Sequence, residues 1–230
     1  MYFFTDSVES AGEGGVRVDV AFTDASIDLQ ERGPGLPDRL AEVEAATGVP
    51  FARLVQVHGA DVLTAEGPPE PDMVPAGDAL VTTRRGLGLM VRVADCVPVL
   101  FADTTAGVVG AAHAGRVGTA LGIAGRTVAR MRELGAESIR AWIGPHVCGR
   151  CYEVPDVMRA EVGAAVPETW SQTRSGTPAL DLGAGVEAQL AALDVAVTRV
   201  AGCTLENPAL HSHRRDGAAA GRFAGLVWLS

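Results

Sequence analysis

Short apolar runs separated only by turn residues are the feature of this sequence that most constrains its fold. Runs of strand length stand at Val16–Phe22, Ala52–Val57, Asp78–Thr82, Leu87–Val93, Val97–Phe101, Gly107–Ala112, Ile139–Ile143, Val197–Val200 and Phe223–Leu229. Apolar residues at helical spacing predict fewer helices, at Leu36–Thr47, Thr119–Leu134, Pro155–Ala165 and Leu182–Leu193. Because strands outnumber helices and many neighbouring strands are joined by turns alone, the pattern predicts an α+β fold rather than a regularly alternating parallel sheet.

All 19 basic residues of the 230-residue chain are arginine, and the sequence contains no lysine. Schiff-base lysines, lysine general bases and P-loop lysines are therefore excluded. The 28 acidic residues give a formal net charge of −9, and no run of basic residues offsets it. Such a chain is a poor candidate for binding nucleic acid or an anionic membrane surface.

The sequence shows no targeting or membrane-spanning signal. Asp6 and Glu9 interrupt the first residues, which lack the apolar core of a signal peptide. The longest apolar runs are of strand length, well short of the roughly 18 residues that a membrane span needs. Four cysteines are too few for a disulfide scaffold. We therefore expect a cytoplasmic protein with reduced thiols.

Three metal-ligating side chains stand at predicted strand ends, where a rigid scaffold commonly presents catalytic groups. His58 and His113 each stand in a glycine-bearing turn, and Cys96 directly precedes a predicted strand. Two histidines and one cysteine can bind zinc with a fourth position open, which is the catalytic arrangement. Zinc would lower the pKa of a bound water to about 7 or polarise a substrate oxygen. Spacing alone also allows three unrelated buried residues, or a metal-free pair of Cys96 as nucleophile and His113 as base.

A second group of candidate ligands is His146-x-Cys148-x-x-Cys151, which follows a Gly-Pro pair. A structural zinc site would need further ligands, and only Cys203 and two later histidines remain to supply them. A redox dithiol would instead open a helix after a strand. We therefore favour the interpretation that Cys148 and Cys151 pack a turn.

Several segments match, in the same order, the motifs of a known family. The matching segments are Gln56–Val62 (QVHGADV), Asp78–Thr82 (DALVT), Ala94–Leu100 (ADCVPVL), Ala112–Gly115 (AHAG), Ile143–Pro145 (IGP), Cys151–Val154 (CYEV) and Arg214–Gly217 (RRDG). Together they resemble the YfiH/YlmD family, variously called laccase-domain proteins, multicopper polyphenol oxidases, peptidoglycan editing factors and purine nucleoside phosphorylases. The resemblance covers roughly Ala52 to Ser230.

The resemblance implies a single α+β domain over residues 1–230 with a duplicated strand–helix core. It also implies one catalytic zinc held by His58, Cys96 and His113, the latter two acting in catalysis. The implied substrates are purine nucleosides and phosphate, through phosphorolysis of adenosine, inosine, guanosine or methylthioadenosine, together with deamination of adenosine. Copper is not expected, because a multicopper centre needs many histidine ligands and the chain has five histidines.

Other residues are assigned expected roles in the same site. Arg214 and Arg215 could clamp an anion or lie solvated around a turn, and we expect Arg215 to contact phosphate. Arg116 stands where the family usually has Trp-Arg after His-Ala-Gly, so Arg116 is expected to substitute for that arginine. We expect Gln56 to contribute to substrate binding, and Asp95 is the candidate general acid.

The segment Thr23–Gly35 departs from the family pattern, because it lacks the usual Gly-Gly-Val-Ser loop and Ser-Leu-Asn-Leu motif of the substrate pocket. Two further functions therefore stay open. One is a cysteine-centred hydrolase or peptidoglycan-precursor editing factor with Cys96 as nucleophile. The other is a non-enzymatic family member that retains the fold.

Overall fold

The computed structural model describes residues 1–10, 16–31, 33 and 35–230, so residues 32 and 34 of the segment Thr23–Gly35 lie outside the described residues. The strands are β1 (Tyr2–Glu9), β2 (Arg17–Thr23), β3 (Phe51–Ala52), β4 (Val62–Thr64), β5 (Ala79–Thr82), β6 (Gly88–Val93), β7 (Val97–Asp103), β8 (Val108–Ala114), β9 (Arg140–Ile143), β10 (Trp170–Gln172), β11 (Pro178–Leu180), β12 (Ala196–Arg199) and β13 (Phe223–Leu229).

The helices are short and lie between the strands. They are α1 (Leu36–Thr47), α2 (Arg116–Ala120), α3 (Ile123–Glu133), α4 (Asp156–Ala165), α5 (Leu182–Ala191) and α6 (His213–Asp216). Of the helices in the described part of the chain, none has the length and apolar character needed to cross a bilayer.

Two mixed sheets form the framework. One has the strand order β1-β2-β13-β6-β3 and the other the order β12-β9-β7-β8-β5-β4, while β10 and β11 form a separate hairpin. Most neighbours are antiparallel, and the pairs β3/β6, β4/β5 and β9/β12 are parallel. The α+β class predicted from the sequence is therefore confirmed, as a single mixed domain with several sheets.

The two sheets pack face to face, and strand β7 is buried on both of its faces. This burial explains why β7 is apolar at almost every position. Val97, Val99 and Phe101 contribute to the cluster packed by α3 and α5. Leu100 and Ala102 contribute to the cluster between the sheets. The outer face of the five-stranded sheet is covered by α1. A strand buried on both faces loses the apolar–polar alternation of a half-exposed strand.

Several elements differ from the sequence prediction, which assigned no strand to β4, β10 or β11 and no helix to α6. The run Ala52–Val57 does not continue as one strand: β3 ends at Ala52, the carbonyl of Leu54 accepts the guanidinium of Arg92 at 2.6 Å, and Val55 pairs with Ala76. The predicted helix Thr119–Leu134 is two helices, broken where Gly122 adopts a left-handed φ of 74°. The prediction assigned no strand to β1, which lies at a sheet edge with Thr5, Ser7 and Glu9 exposed.

Candidate functional site

His58, Cys96 and His113 converge at one end of the two sheets. His58 lies in the loop between β3 and β4, Cys96 in the turn between β6 and β7, and His113 one residue before the end of β8. Their ligand atoms all lie within 4.8 Å of one another. The two imidazole rings meet edge to face, with centroids 4.8 Å apart. The structure therefore brings together the three residues that the resemblance implies as metal ligands.

Asp78 orients both histidines from beneath the site. This fully buried carboxylate accepts hydrogen bonds from His113 Nδ1 at 2.8 Å, from the His58 N–H at 2.9 Å and from the Gly59 N–H at 2.6 Å. Burial raises the pKa of Asp78, but these hydrogen bonds outweigh it and hold the pKa below its usual value. The same contacts hold His58 at its left-handed φ of 61°. Asp78 thus leaves Nε2 of His113 to act as a ligand.

The site favours a thiolate beside an imidazolium when no cation is bound. Burial raises the pKa of the Cys96 thiol, but His113 and then His58 bring it down to about 6. Burial lowers the pKa of His113, yet the Cys96 thiolate and Asp78 raise it to about 9. A metal ion binding here would meet a ligand sulfur that is already deprotonated.

The donor set fits zinc. Two imidazoles and one thiolate, with the second nitrogen of His113 held by a carboxylate, form a three-ligand set that zinc takes in catalytic sites. Gly115 leaves room for the ligand side chains to converge, because a Cβ there would lie 2.9 Å from Cδ2 of His58 and 3.3 Å from Sγ of Cys96. A multicopper centre fits poorly, since His146 and His211 contact backbone carbonyls instead.

A cavity of about 700 Å³ lies over Cys96 and His113. This volume is within the usual range for small-molecule sites. Its lining mixes apolar and aromatic side chains with polar and charged ones. The apolar lining includes Val117, Val147, Tyr152 and Leu182, and the arginines in the lining are Arg92, Arg116, Arg214 and Arg222.

Asp95 lines this cavity but does not fit the role of general acid. Its carboxylate accepts the hydroxyls of Thr204 at 2.6 Å and Ser212 at 2.7 Å, and the backbone N–H of Arg214 at 2.7 Å. Asp95 also has a left-handed φ of 92°, so the chain turns between β6 and β7 instead of continuing as a strand. These contacts make Asp95 a positioning residue for the loop that carries Cys96.

Arg215 lies away from the cavity, contrary to the expectation that it contacts phosphate. Its guanidinium donates to the carbonyls of Thr204 and Leu210, both at 2.8 Å, and pairs with Asp216. The adjacent Arg214 lines the cavity instead and lies over the ring of Tyr152 at 4.8 Å. In the sequence motif RRDG, the first arginine therefore faces the site and the second closes the turn.

Arg116 and Gln56, for which substrate binding is expected, both line the cavity. Both ends of the Gln56 amide are bonded to the backbone of Arg92, at 2.8 Å each, so this amide holds the strand end. Arg116 is the first residue of α2, directly after Gly115.

Sequence reasoning missed several residues of the site. The sequence does mark Asp78 as unusual, because this charged residue directly precedes an otherwise apolar strand. His213 and Tyr152 lie in or next to matched motifs. Gln30 and Glu31 also line the cavity, so the segment that departs from the family pattern does form part of its wall.

Comparison with known proteins agrees with this architecture. The family model described as multi-copper polyphenol oxidoreductase laccase matches residues 36–230. Purine nucleoside phosphorylase ORF3 of Streptomyces griseus is 57% identical over 178 residues, which cover 76% of this chain and 72% of that protein.

Two solved structures share the fold across nearly their whole length. Neisseria meningitidis protein NMB0706 has a TM-score of 0.81 at 28% identity and covers 98% of this chain and 99% of its own. YlmD from Geobacillus stearothermophilus has a TM-score of 0.76 at 27% identity, with 97% and 99% covered. The resemblance drawn from the sequence motifs is thereby confirmed, and the chain belongs to the YfiH/YlmD family of laccase-domain proteins.

Proposed function

We propose that this protein is a zinc-dependent purine nucleoside phosphorylase. The observation that carries the proposal is the set His58, Cys96 and His113 at the base of an arginine-lined cavity of about 700 Å³. A relative that is 57% identical bears the name of this activity. The cavity has room for a nucleoside beside phosphate, and its mixed lining suits a base and an anion.

The reaction requires phosphate oxygen to form a bond with ribose C1′ while the bond from C1′ to the purine nitrogen breaks. The bonding electrons leave with the base, which takes up a proton. Zinc, when bound, supplies a Lewis acid that polarises a substrate oxygen. The chain's own residues supply the binding of the anion, the packing of the base and the proton.

Arg116 and Arg214 are the arginines proposed to bind phosphate. The guanidinium of Arg92 is occupied by the carbonyl of Leu54 and by Glu31, and that of Arg222 donates to two backbone carbonyls at 2.8 Å. A guanidinium group can donate two parallel hydrogen bonds to two oxygens of one phosphate. This contact orients the phosphate nucleophile and offsets its negative charge.

Tyr152 and the apolar lining around it are proposed to pack against the purine. Val147 and Leu182 also line the cavity, so an apolar surface is available beside the arginines. His213 lines the same cavity and is proposed to donate the proton that the departing base takes up. It takes the role for which Asp95 was the candidate, because the carboxylate of Asp95 is engaged by protein donors.

The test is to incubate the purified protein with adenosine, with and without phosphate, and to separate the products by chromatography. We expect adenine and ribose 1-phosphate only when phosphate is present. Inosine in both samples would show that the site deaminates adenosine with water instead. Unchanged adenosine, inosine and guanosine in the presence of phosphate and zinc would contradict the proposal.

A second candidate function is a metal-free cysteine hydrolase, favoured by the pKa of about 6 for Cys96 beside His113. In that case Cys96 would attack an acyl substrate to form a thioester, His113 would protonate the leaving group, and water would then cleave the thioester and free Cys96. Activity that persists with a chelator and disappears on alkylation of Cys96 would identify this function. Phosphorolysis that requires zinc would exclude it.

A further inference from the structure

A second cluster of ligand-type side chains lies outside the cavity, formed by Cys148, Cys151, Cys203 and Glu206. One ligand atom from each residue lies within 4.8 Å of the corresponding atom of every other. The three cysteines are half-buried free thiols and the glutamate is exposed. The sequence favoured a packed turn for Cys148 and Cys151, because only Cys203 and two later histidines remained to complete a metal site. In the fold, Cys203 and Glu206 lie beside them.

The topology of the sheet explains the meeting of these distant segments. Strands β9 and β12 are parallel neighbours, in register from Arg140 opposite Ala196 to Ile143 opposite Arg199. The loops after both strands therefore leave the sheet at the same edge. An isolated bridge between His146 and Cys203 continues the pairing beyond the strands. This alignment places Cys148 beside Cys203.

The two loops form turns of the same kind with the same ligand spacing. In the first, the N–H groups of Cys151 and Tyr152 donate to the carbonyl of Cys148, at 2.9 and 3.0 Å. In the second, the N–H groups of Glu206 and Asn207 donate to the carbonyl of Cys203, at 3.1 and 2.9 Å. Cys-x-x-Cys and Cys-x-x-Glu thus each present ligands from the first and fourth positions of a turn, the spacing that structural zinc sites use.

Hydrogen-bond donors around the sulfurs suit thiolates. The backbone N–H of Cys148 donates to Sγ of Cys203 at 3.4 Å, and Nη1 of Arg174 lies 3.6 Å from Sγ of Cys151. Arg174 also pairs with Glu206. Three thiolates and one carboxylate around a divalent cation leave a net charge of about −2, which the nearby guanidinium partly offsets.

His146 is not part of the cluster, although its spacing from Cys148 made it a candidate ligand. Its Nδ1 contacts the carbonyl of Gly144 at 2.7 Å. Its Nε2 packs against Gly183, where a Cβ would lie only 2.2 Å away. Both ring nitrogens therefore face parts of the protein other than the thiols.

We propose that Cys148, Cys151, Cys203 and Glu206 bind a second zinc ion in a closed, structural site. Four protein ligands leave no open position, so this ion would hold structure rather than take part in chemistry. It would join the loop after β9 to the loop after β12 whatever reaction the cavity performs. The residue after Cys151 is Tyr152, which lines the cavity. The residue after Cys203 is Thr204, whose hydroxyl donates to Asp95 at 2.6 Å.

The first test measures zinc per chain by mass spectrometry of the metal, in extensively dialysed protein. We expect two zinc ions in the wild type, one in Cys203→Ser, one in Cys96→Ser, and none in the double variant. One ion in the wild type that is lost in Cys96→Ser and kept in Cys203→Ser would overturn the proposal. Circular dichroism of each variant checks that its fold is retained.

The second test needs no substitution in the cluster, so it holds even where Cys203→Ser fails to fold. A variant with His58→Ala, Cys96→Ala and His113→Ala keeps only the proposed structural site. We expect one cobalt ion to bind it with strong thiolate-to-cobalt charge-transfer absorption, and all three thiols to resist alkylation until a chelator is added. Binding without this absorption, or a disulfide between two of these cysteines in freshly purified protein, would overturn the proposal.

Discussion

Asp78 is the residue on which both histidines of the candidate metal centre depend. Its single carboxylate contacts the ring of His113 and the backbone of His58, so it fixes one ligand directly and the other through the chain. Residues of this kind set the affinity of a metal site without touching the ion, because they hold the ligand nitrogens in position.

We expect Asp78→Asn to weaken zinc binding at this site by about 10–100-fold, the usual effect of losing such a partner. Competition with a chromophoric chelator, in a Cys203→Ser background, measures the affinity of this site alone. Asp103→Asn is the matched control, because Asp103 is an equally buried carboxylate bonded to backbone N–H groups elsewhere. Equal zinc affinity in Asp78→Asn and wild type would contradict the assigned role.

Arg116 is proposed to bind the phosphate nucleophile. We expect Arg116→Met to raise the KM for phosphate by about tenfold or more, because a hydrogen bond to a charged group contributes about 1.5–3 kcal/mol. The KM for adenosine should change little. Steady-state rates with each substrate varied in turn measure both constants, with Arg126→Met on α3 as the control. An unchanged KM for phosphate would remove Arg116 from the anion site.

Sequence motifs predicted the grouping of His58, Cys96 and His113 better than the contacts of the residues around them. These three residues stand next to turns in recognisable motifs, so the family resemblance implied that they meet although their spacing did not. The placement of Arg215 and Asp95 could not be predicted, because it depends on contacts that sequence does not show. Both side chains bond protein groups more than a turn away in the chain.

At the scale of elements, the apolar runs predicted most strands and the short polar breaks between them. Strand β7 was predicted correctly because burial on both faces leaves a continuous apolar run. The division between α2 and α3 was missed, since a glycine within a helical pattern is compatible with either a helix or a break. Backbone conformation at Gly122 decides between them, and it depends on how both helices pack.

Asp103 joins two elements at the end of β7. Its carboxylate accepts the N–H groups of Thr105 and Ala106 in the turn to β8, and those of Glu137 and Ser138 before β9, at 2.7–3.0 Å. Burial raises the pKa of Asp103, but these four hydrogen bonds lower it below its usual value. The lowered pKa means that the folded state binds the proton less tightly than the unfolded chain.

This contribution to stability is therefore complete above the unfolded pKa of about 3.9 and is lost as the pH falls through the lower folded value. We expect Asp103→Asn to lower the free energy of unfolding at pH 7 by about 1–3 kcal/mol, because its amide group would face N–H donors. The deficit relative to wild type should shrink toward acid pH. Urea unfolding at several pH values measures it, and a deficit independent of pH would contradict the explanation.

At the scale of the whole molecule, the packing of the two sheets positions the site. Phe22 of β2 lies between them, against Gly144 at the end of β9 and Gly225 of β13. Trp142 of β9 donates its ring N–H to Asp6 of β1 at 2.9 Å. Sequence could not predict these contacts, because they join segments far apart in the chain through the order of strands in the sheets.

We expect Gly144→Ala to destabilise the protein by about 1–3 kcal/mol through overpacking. A Cβ at this position would lie 2.3 Å from the Phe22 ring, which is buried and cannot move aside. Gly67→Ala is the control, since a Cβ there meets no heavy atom within 4 Å in the described part of the chain. The midpoint of urea unfolding checks both variants, and equal midpoints would show that the sheets adjust freely.

The central claim is that His58, Cys96 and His113 bind a zinc ion on which phosphate-dependent cleavage of purine nucleosides depends. The most direct measurement is the release of adenine from adenosine and phosphate by metal-stripped protein before and after zinc is restored. We expect turnover to return with zinc in the wild type and in His211→Gln, whose histidine lies outside the metal centre, and not to return in His113→Ala. Phosphate-dependent turnover by His113→Ala that holds no metal would contradict the claim.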